Sequence, residues 1–394
     1  METKCIRLGD CILCNPKVKL TKGELYPVID IDKITVGRKY VSNKTFITFA
    51  GQSGCKFENG DTLMARITPC LENGKMAVAK IASKGLGSTE LFVFRSKDGM
   101  TDEEFVYYLL KQQYIRNLAA NSMTGASGRQ RADLKFIKRI KIQLPNLDVQ
   151  HCIASILSTY DTLIENNTKR IRLLEKMAEN LYKEWFVRFR FPGHENVEME
   201  NGLPKGWKIV NLFDVADITY GFAFKSNKFC DNAELNPVVR IRDIQDNHTN
   251  TYTDEPCEDK YLIGKNAILI GMDGIFHMCL WNGERAYLNQ RVVMLNSKEK
   301  GLCNYLLYLA IRPQIKYWEQ VISGTTVAHL GDKHLRRVKV LFPEKAILEK
   351  GNSIISRAME EKNVLQHQNS LLARQRDLLL PRLMSGKLEV KVKE

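Results

Sequence analysis

Apolar and polar positions alternate with a short period at several places along the chain. Pro27–Ile31 and Val238–Ile241 read as strands, as do Thr62–Ile67 and Ala267–Ile270 after glycine-containing turns. A helical period follows in "DEEFVYYLLKQQYIRNLAAN" (102–121) and in "NYLLYLAIRPQIKYWEQVI" (304–322), where Pro313 predicts an interruption. A Gly/Ser/Thr loop and a basic strand-like run close each stretch. Two longer helical segments come next, from about Asp148 to Phe186 and from about Ala346 to Leu383. At 1.5 Å per residue each spans roughly 50–60 Å.

The order of elements repeats. "IRLGDCI" (6–12) answers "VNLFDVA" (210–216), and "YPVIDIDKI" (26–34) answers "NPVVRIRDI" (236–244). "NGDTLMARI" (59–67) answers "IGKNAILIG" (263–271). "SMTGASGRQRADLKFIKRIKIQLP" (122–145) answers "VISGTTVAHLGDKHLRRVKVLFP" (321–343). The spacing drifts, so the pattern is one duplication with loop changes rather than a solenoid. The fold class expected is α+β: two duplicated mostly-β domains separated by two long antiparallel helices that form a coiled-coil-like spacer. The boundaries expected are 1–145 and 191–343 for the domains, with 146–190 and 344–394 for the helices and tail.

On the first long helix one heptad column reads Ile153, Tyr160, Asn167, Leu174, Leu181. A second passes through Leu163 and the off-pattern Arg170, and a third ends at Trp185. Three columns are wider than a simple dimer seam. Asn167 and Arg170 are natural register-setting positions if buried. The second helix carries Leu365, Leu372 and Leu379, and Pro381 and Gly386 predict its stop. Half-apolar helices of this length gain stability by packing on each other, which would set the two domains at opposite ends of a rod. The first helix ends in the aromatic group Trp185, Phe186, Phe189 and Phe191, where Phe189 and Phe191 read as a short extended segment. Trp185 and Phe186 are expected to pack this helix end against a domain or a partner.

Charge sharpens this picture. The chain has 394 residues and a formal net charge of +14. Residues 1–145 hold 24 Lys/Arg against 14 Asp/Glu, whereas 191–342 hold 18 of each. A basic first domain points to a polyanion such as DNA. The candidate contacts are Lys44, Arg66, Arg129, Arg131, Lys135, Lys138 and Arg139 in the first copy. In the second they are Arg240, Arg242, Arg285, Lys333 and Arg336. Arg129 and Arg131 follow a flexible loop and suit bidentate base contacts, while Lys135, Lys138 and Arg139 suit phosphates. Arg240 and Arg242 are placed on one face of a strand, and the first copy has Asp30 and Asp32 there. Two like folds with unlike polar faces fit two different DNA words.

Motifs for catalysis are missing. There is no Pro-Pro segment of the amino-methyltransferase kind, no glycine-rich cofactor loop after a strand and no nucleotide-phosphate loop. "DEPCEDK" (254–260), Cys11 and Cys14, and His277 with Cys279 each read more simply as solvated or packed side chains than as metal ligands. No catalytic, metal or cofactor residue is assigned. Ten scattered cysteines suit reduced thiols, and no apolar leader or run of 18 apolar residues is seen. A cytoplasmic protein is expected.

With these segments assembled, the chain resembles the specificity subunits of type I restriction–modification systems. The resemblance rests on "ENLYKEWFVRFRFPG" (179–193), "GLPKGWKIVNLFDVA" (202–216), "NPVVRIRDI" (236–244), "GTTVAHLGDKHLRRVKVLFP" (324–343) and "LLLPRLMSGKLEV" (378–390). It spans essentially the whole chain. The first copy departs from it with "YPVIDIDKI" and has no counterpart of "LPKGW". The resemblance implies two target-recognition domains that each read half of a split, asymmetric double-stranded DNA sequence, and a helical ruler that fixes the gap. It implies two methyltransferase (modification) subunits using S-adenosylmethionine, and restriction–translocase subunits using ATP and Mg2+. This chain would supply specificity and assembly rather than a cofactor site. The alternatives are a self-contained nuclease or methyltransferase, and a coiled-coil scaffold that reads no sequence.

Overall fold

The computed structural model describes residues 3–42, 45–126, 128–322 and 328–390. The chain divides into two compact units, Met1–Lys169 with Gln366–Glu394, and Arg170–Leu365. Both are mostly β. Each holds part of two long helices, Leu147–Tyr182 and Lys345–Met384.

Among its described residues the first unit builds a five-stranded sheet in the order Ile12–Cys14, Leu91–Ser96, Thr62–Ala65, Met76–Ala79, Tyr40–Val41. A four-stranded sheet runs Phe46–Thr48, Leu25–Ile29, Lys84–Gly87, Cys55–Glu58. The second unit repeats the plan. One sheet orders Ala216–Tyr220, Val292–Ser297, Ile268–Gly271 and Met278–Leu280; the other orders Tyr252–Thr253, Asn236–Val239, Ala286–Leu288 and Leu262–Ile263. The duplication extends to single bonds. Leu8 N–H donates to Ile140 C=O at 2.8 Å, and Leu212 N–H to Val338 C=O at 3.1 Å. The parallel pair Val28↔Leu86 answers Val238↔Tyr287. Strands such as Thr62–Ala65 and Ile268–Gly271 are buried along their whole length, because both faces are covered.

Several elements differ from the sequence pattern. The strand at Val238 ends at Val239. Arg240 N–H bonds the Asp243 carboxylate at 2.8 Å and the chain turns into a 3-10 helix, Ile241–Asp243, so Arg240 and Arg242 lie on a turn rather than a strand face. The basic run after Arg131 contains a short helix, Leu134–Arg139, capped by Asp133, before the strand Lys141–Pro145. Residues 102–121 form two helices, Glu103–Lys111 and Gln113–Asn121, broken where Gln112 is extended (ψ 133°). Asn304–Ile322 passes through Pro313 unbroken, with Ile311 and Ile315 buried on either side. The second long helix likewise continues beyond Pro381 to Met384, where Leu380, Leu383 and Met384 are buried in the same core as Ile153 and Leu157, and Gly386 (φ 72°) follows. In both cases buried neighbours offset the single donor that proline lacks.

Within each unit the two long helices run antiparallel. In the first, Asn167 Nδ2 donates to Asn369 Oδ1 at 3.0 Å, and Arg376 pairs with Asp161 further back along the first helix. In the second, Lys362 bonds Glu175 at 2.9 Å, and Phe186 packs on Gly351, where an added Cβ would lie 2.7 Å from the ring. Asp161 and Arg376 are buried, at 3% and 1% exposure. Tyr108 Oη–H donates to Asp161 at 2.5 Å, and the buried Lys39 donates to Tyr108 Oη at 3.2 Å and to Glu104. Burial opposes the Arg376 charge. Its bonds to Asp377 and the Asp161 carboxylate more than offset this and raise its pKa. Of the other proposed seam residues, Ile153, Phe186 and Leu365 are buried; Tyr160, Leu174, Leu181, Trp185, Leu372 and Leu379 are half-buried, and Leu163 is exposed. Arg170 is exposed and paired with Glu361 at 2.5 Å.

The first long helix loosens into a π turn at Lys183–Val187, and the chain then wraps a tryptophan. Trp207 is buried; Phe191 stacks on it at 5.0 Å, Phe189 meets it edge-on at 5.6 Å and Phe186 lies 6.1 Å away. Phe189 takes a left-handed conformation (φ 58°), so Phe189 and Phe191 are not an extended pair. Gly193 (φ 87°) then turns the chain.

Two stability predictions follow from these cores. Trp207→Ala should destabilise the second unit by about 3–5 kcal/mol, read as a lowered denaturation midpoint, and by more than Trp185→Ala. Arg376→Met alone should destabilise the first unit by about 3–5 kcal/mol, because Asp161 is left buried without its partner; urea unfolding of the full chain measures this.

Candidate nucleic-acid interface

The glycine loops are tied to their sheets by the same backbone bonds in both units. In the first, Thr68 N–H donates to Gln130 C=O at 3.0 Å, Ala132 N–H to Arg66 C=O at 2.8 Å and Arg66 N–H to Glu90 C=O at 3.0 Å. In the second, Gly274 N–H donates to Ala328 C=O at 2.9 Å, Leu330 N–H to Met272 C=O at 2.8 Å and Met272 N–H to Arg291 C=O at 3.0 Å. These bonds make Arg131 the counterpart of His329, Glu90 that of Arg291, and Ile67 that of Asp273.

On this common frame the side-chain chemistry is rearranged. Arg131 holds Glu90 in a fork, with bonds of 2.6 to 3.1 Å. Its hydrogen bonds hold the Glu90 carboxyl below the ordinary carboxylate range. In the second unit the carboxylate has moved to Asp273, which takes His329 Nδ1 at 2.7 Å and faces Arg291 Nε at 3.4 Å. Each clasp ties its segment, 131 or 329, to the neighbouring sheet. Arg131 is thereby engaged within the protein, and Arg129 beside it is exposed.

The remaining candidates fall into two groups. Lys135, Lys138 and Arg139 are exposed on the short helix Leu134–Arg139, and Lys333, Arg336 and Arg337 occupy the matching positions at and after Asp332–Leu335. Both copies therefore carry three exposed cations at one place. Arg336 also bonds Asp332 at 2.5 Å and covers the Phe213 ring at 4.5 Å. The other group differs between copies. Arg240 lies over Phe229 at 5.4 Å, and Arg242 bonds Thr251 Oγ1 at 3.0 Å. Asp30 and Asp32 are at the matching places. Arg285 is exposed, and Arg66 is half-buried with its guanidinium 4.9 Å from the Phe92 ring. Lys44 lies outside the described residues. Sequence reading missed Glu90, Asp273, Arg291, His329 and Arg337. The first four are joined only by the fold, since Glu90 lies 41 positions from Arg131. Arg337 was visible as the counterpart of Arg139.

The side chains set aside as metal candidates are otherwise engaged. Burial pushes the Cys11 and Cys14 thiols up to about 11 each, and Cys11 Sγ donates to Leu8 C=O. Cys279 is pushed up to about 12 by burial, and His277 meets Gln245 at 2.9 Å. In the acidic segment, Lys260 pairs with Glu258. Among the described residues no group of three or more His, Cys, Asp or Glu side chains is placed to hold a metal ion. No helix there is long and apolar enough to cross a membrane.

A duplicated α+β chain with a basic first half and exposed cations at matching places in both copies has the character of a nucleic-acid-binding protein. Residues 3–176 and 204–369 match the family of type I restriction modification DNA specificity domains, and the chain belongs to that family. It is 28% identical over 318 residues to the type I restriction enzyme MjaIX specificity subunit of Methanocaldococcus jannaschii, covering 75% of this chain and 71% of that one. It is 26% identical over 413 residues to the MjaVIII specificity subunit of the same organism, covering 99% and 94%. Among solved structures it is similar to the type I restriction–modification S subunit from M. genitalium, with a TM-score of 0.57 and 16% identity over 97% of this chain and 96% of that one.

The clasp carries a pH prediction. A depressed carboxyl pKa contributes stability that is present above the unfolded value and lost as pH falls through the folded one. Hydrogen exchange should show the reciprocal Thr124 and Arg131 amides protected at neutral pH and progressively less so below the ordinary Glu range. Glu90→Gln should weaken that protection already at neutral pH.

Proposed function

We propose that this chain is the specificity subunit of a type I restriction–modification enzyme whose two units each read one half of a split DNA target. The observation that carries this reading is the contrast between the copies. Three matching cations stand on the short helix 134–139 and at and just after the short helix 332–335, while the side chains at 30/240, 32/242 and 129–131/327–329 differ in kind. Phosphates are the same in every sequence, so a shared cationic helix suits them; bases differ, so the unlike positions suit reading. Segments 1–145 and 191–343 are the two recognition domains in this reading. Segments 146–190 and 344–394 supply the helices that fix the gap and receive two methyltransferase subunits and the restriction–translocase subunits. S-adenosylmethionine, ATP and Mg2+ belong to those partners, and the complex works in the cytoplasm, where ten unpaired cysteines stay reduced.

The test is to express the chain with its methyltransferase and map the methylated sites. Arg129→Ala should relax one half of the target word, and Arg240→Ala the other, each by about 1–3 kcal/mol of discrimination. Lys135→Ala and Lys333→Ala should weaken binding to all sequences alike and reduce the dependence of affinity on salt. Methylation without a two-part word, or catalysis by the purified chain alone, would refute the reading.

A further inference from the structure

The duplication gives the two long helices a common ancestor pattern, which raises the question of how each recognises the other rather than its own kind. Their positions correspond directly. Each follows its strand after a proline and one capping position, Pro145-Asn146 and Pro343-Glu344. Further on, "LLEKMAENL" (173–181) lies in step with "LLARQRDLL" (371–379), and the buried Ile153 and Leu157 fall in step with the buried Gly351 and Ile355. On this correspondence Asp161 matches Met359 and Arg376 matches Ala178. Asn167 matches Leu365, and Asn369 matches Ile171. Glu175 matches Ala373, and Lys362 matches Ile164.

Among the polar pairs that cross the seam, three lie in one register: Asp161 with Arg376, Asn167 with Asn369, and Glu175 with Lys362; the exposed Arg170–Glu361 pair falls outside it. In each of these three the residue at the duplicated position is aliphatic or Met. Replace the second helix by another first helix in the same antiparallel arrangement, and Ala178 comes to the place of Arg376. Asp161 then lies buried against a methyl group, Asn167 faces Ile171 and Glu175 faces Ile164. Two second helices fare no better: Arg376 faces Met359, Asn369 faces Leu365 and Lys362 faces Ala373. A buried charge without a partner is strongly unfavourable, whereas an apolar pair of similar size serves stability as well as an ion pair. The second unit shows this directly, because Ala178 and Met359 are both buried in its core.

We propose that these polar pairs are a partner-choosing device: they let the first long helix accept the second and reject a like helix from another copy of this chain. A single buried polar position fixes partner and register in coiled coils by the same physics. The device is directed against a second copy because the duplication itself makes that copy the best available competitor.

The test uses the full-length chain. Asp161→Met with Arg376→Ala, and Asn167→Leu with Asn369→Ile, install the residues that the protein already carries at the matching positions. Sedimentation equilibrium over a wide concentration range, with circular dichroism for folding, compares this fourfold variant with the parent. The expected result is a folded variant that dimerises at least tenfold more tightly than the parent and co-purifies with a differently tagged copy after co-expression. Dimers that merely exchange helices keep first against second in both proteins, so only the excess in the variant counts. A folded variant that dimerises no more than the parent overturns the proposal. So does a variant that fails to fold, since the pairs would then hold the helices together rather than select between them.

Discussion

The Asp161–Arg376 pair is the interaction on which the first unit turns. It joins the two long helices, and through Tyr108 and Lys39 it reaches the β domain and the helix Glu103–Lys111. Charges are taken from water only at considerable cost, and here every member of the network finds a partner. Such a network tolerates little sliding. One turn of displacement along either helix would strand a carboxylate and a guanidinium in an apolar core. The second unit meets the same need with hydrophobic packing and with amides: Asn363 bonds Asn266 at 3.0 Å and Tyr305 at 2.5 Å, and Asn282 bonds Asn363 at 2.6 Å.

Lys80 and Glu165 sit 3.6 Å apart at the positions that Asn282 and Asn363 hold in the second copy. A charged pair in one unit is an amide pair in the other, on an unchanged backbone. The glycine-loop clasps show the same freedom, with the carboxylate carried by Glu90 in one copy and Asp273 in the other. Backbone bonds and apolar burial hold the fold, so polar side chains at these places are free to diverge.

Much of this was legible along the chain. The repeated order of motifs announced the duplication, and the heptad columns announced the long helices, because period and burial are local properties of sequence. The sequence pattern misjudged Pro313 and Pro381, which sit inside helices stabilised by distant neighbours. It also extended the strand at Val238 into a turn, since the Asp243 carboxylate that bends the chain there resembles any other charge on paper. At the aromatic group the cluster was visible, but its centre was not: Trp207 comes 16 residues after Phe191 and takes its place only when the chain folds back.

By itself the sequence determined two mostly-β repeats, two long helices of matching pattern, a basic first half and the family to which these belong. Those depend on periodicity, composition and the order of short motifs. Tertiary structure alone decided which charges are free and which are engaged, that Arg131 closes a clasp while Arg129 stays exposed, and that Asp161 meets Arg376. The physical reason is distance. A side chain's partner is fixed by folding of segments far apart in the chain, and its charge has one meaning in water and another when buried against that partner.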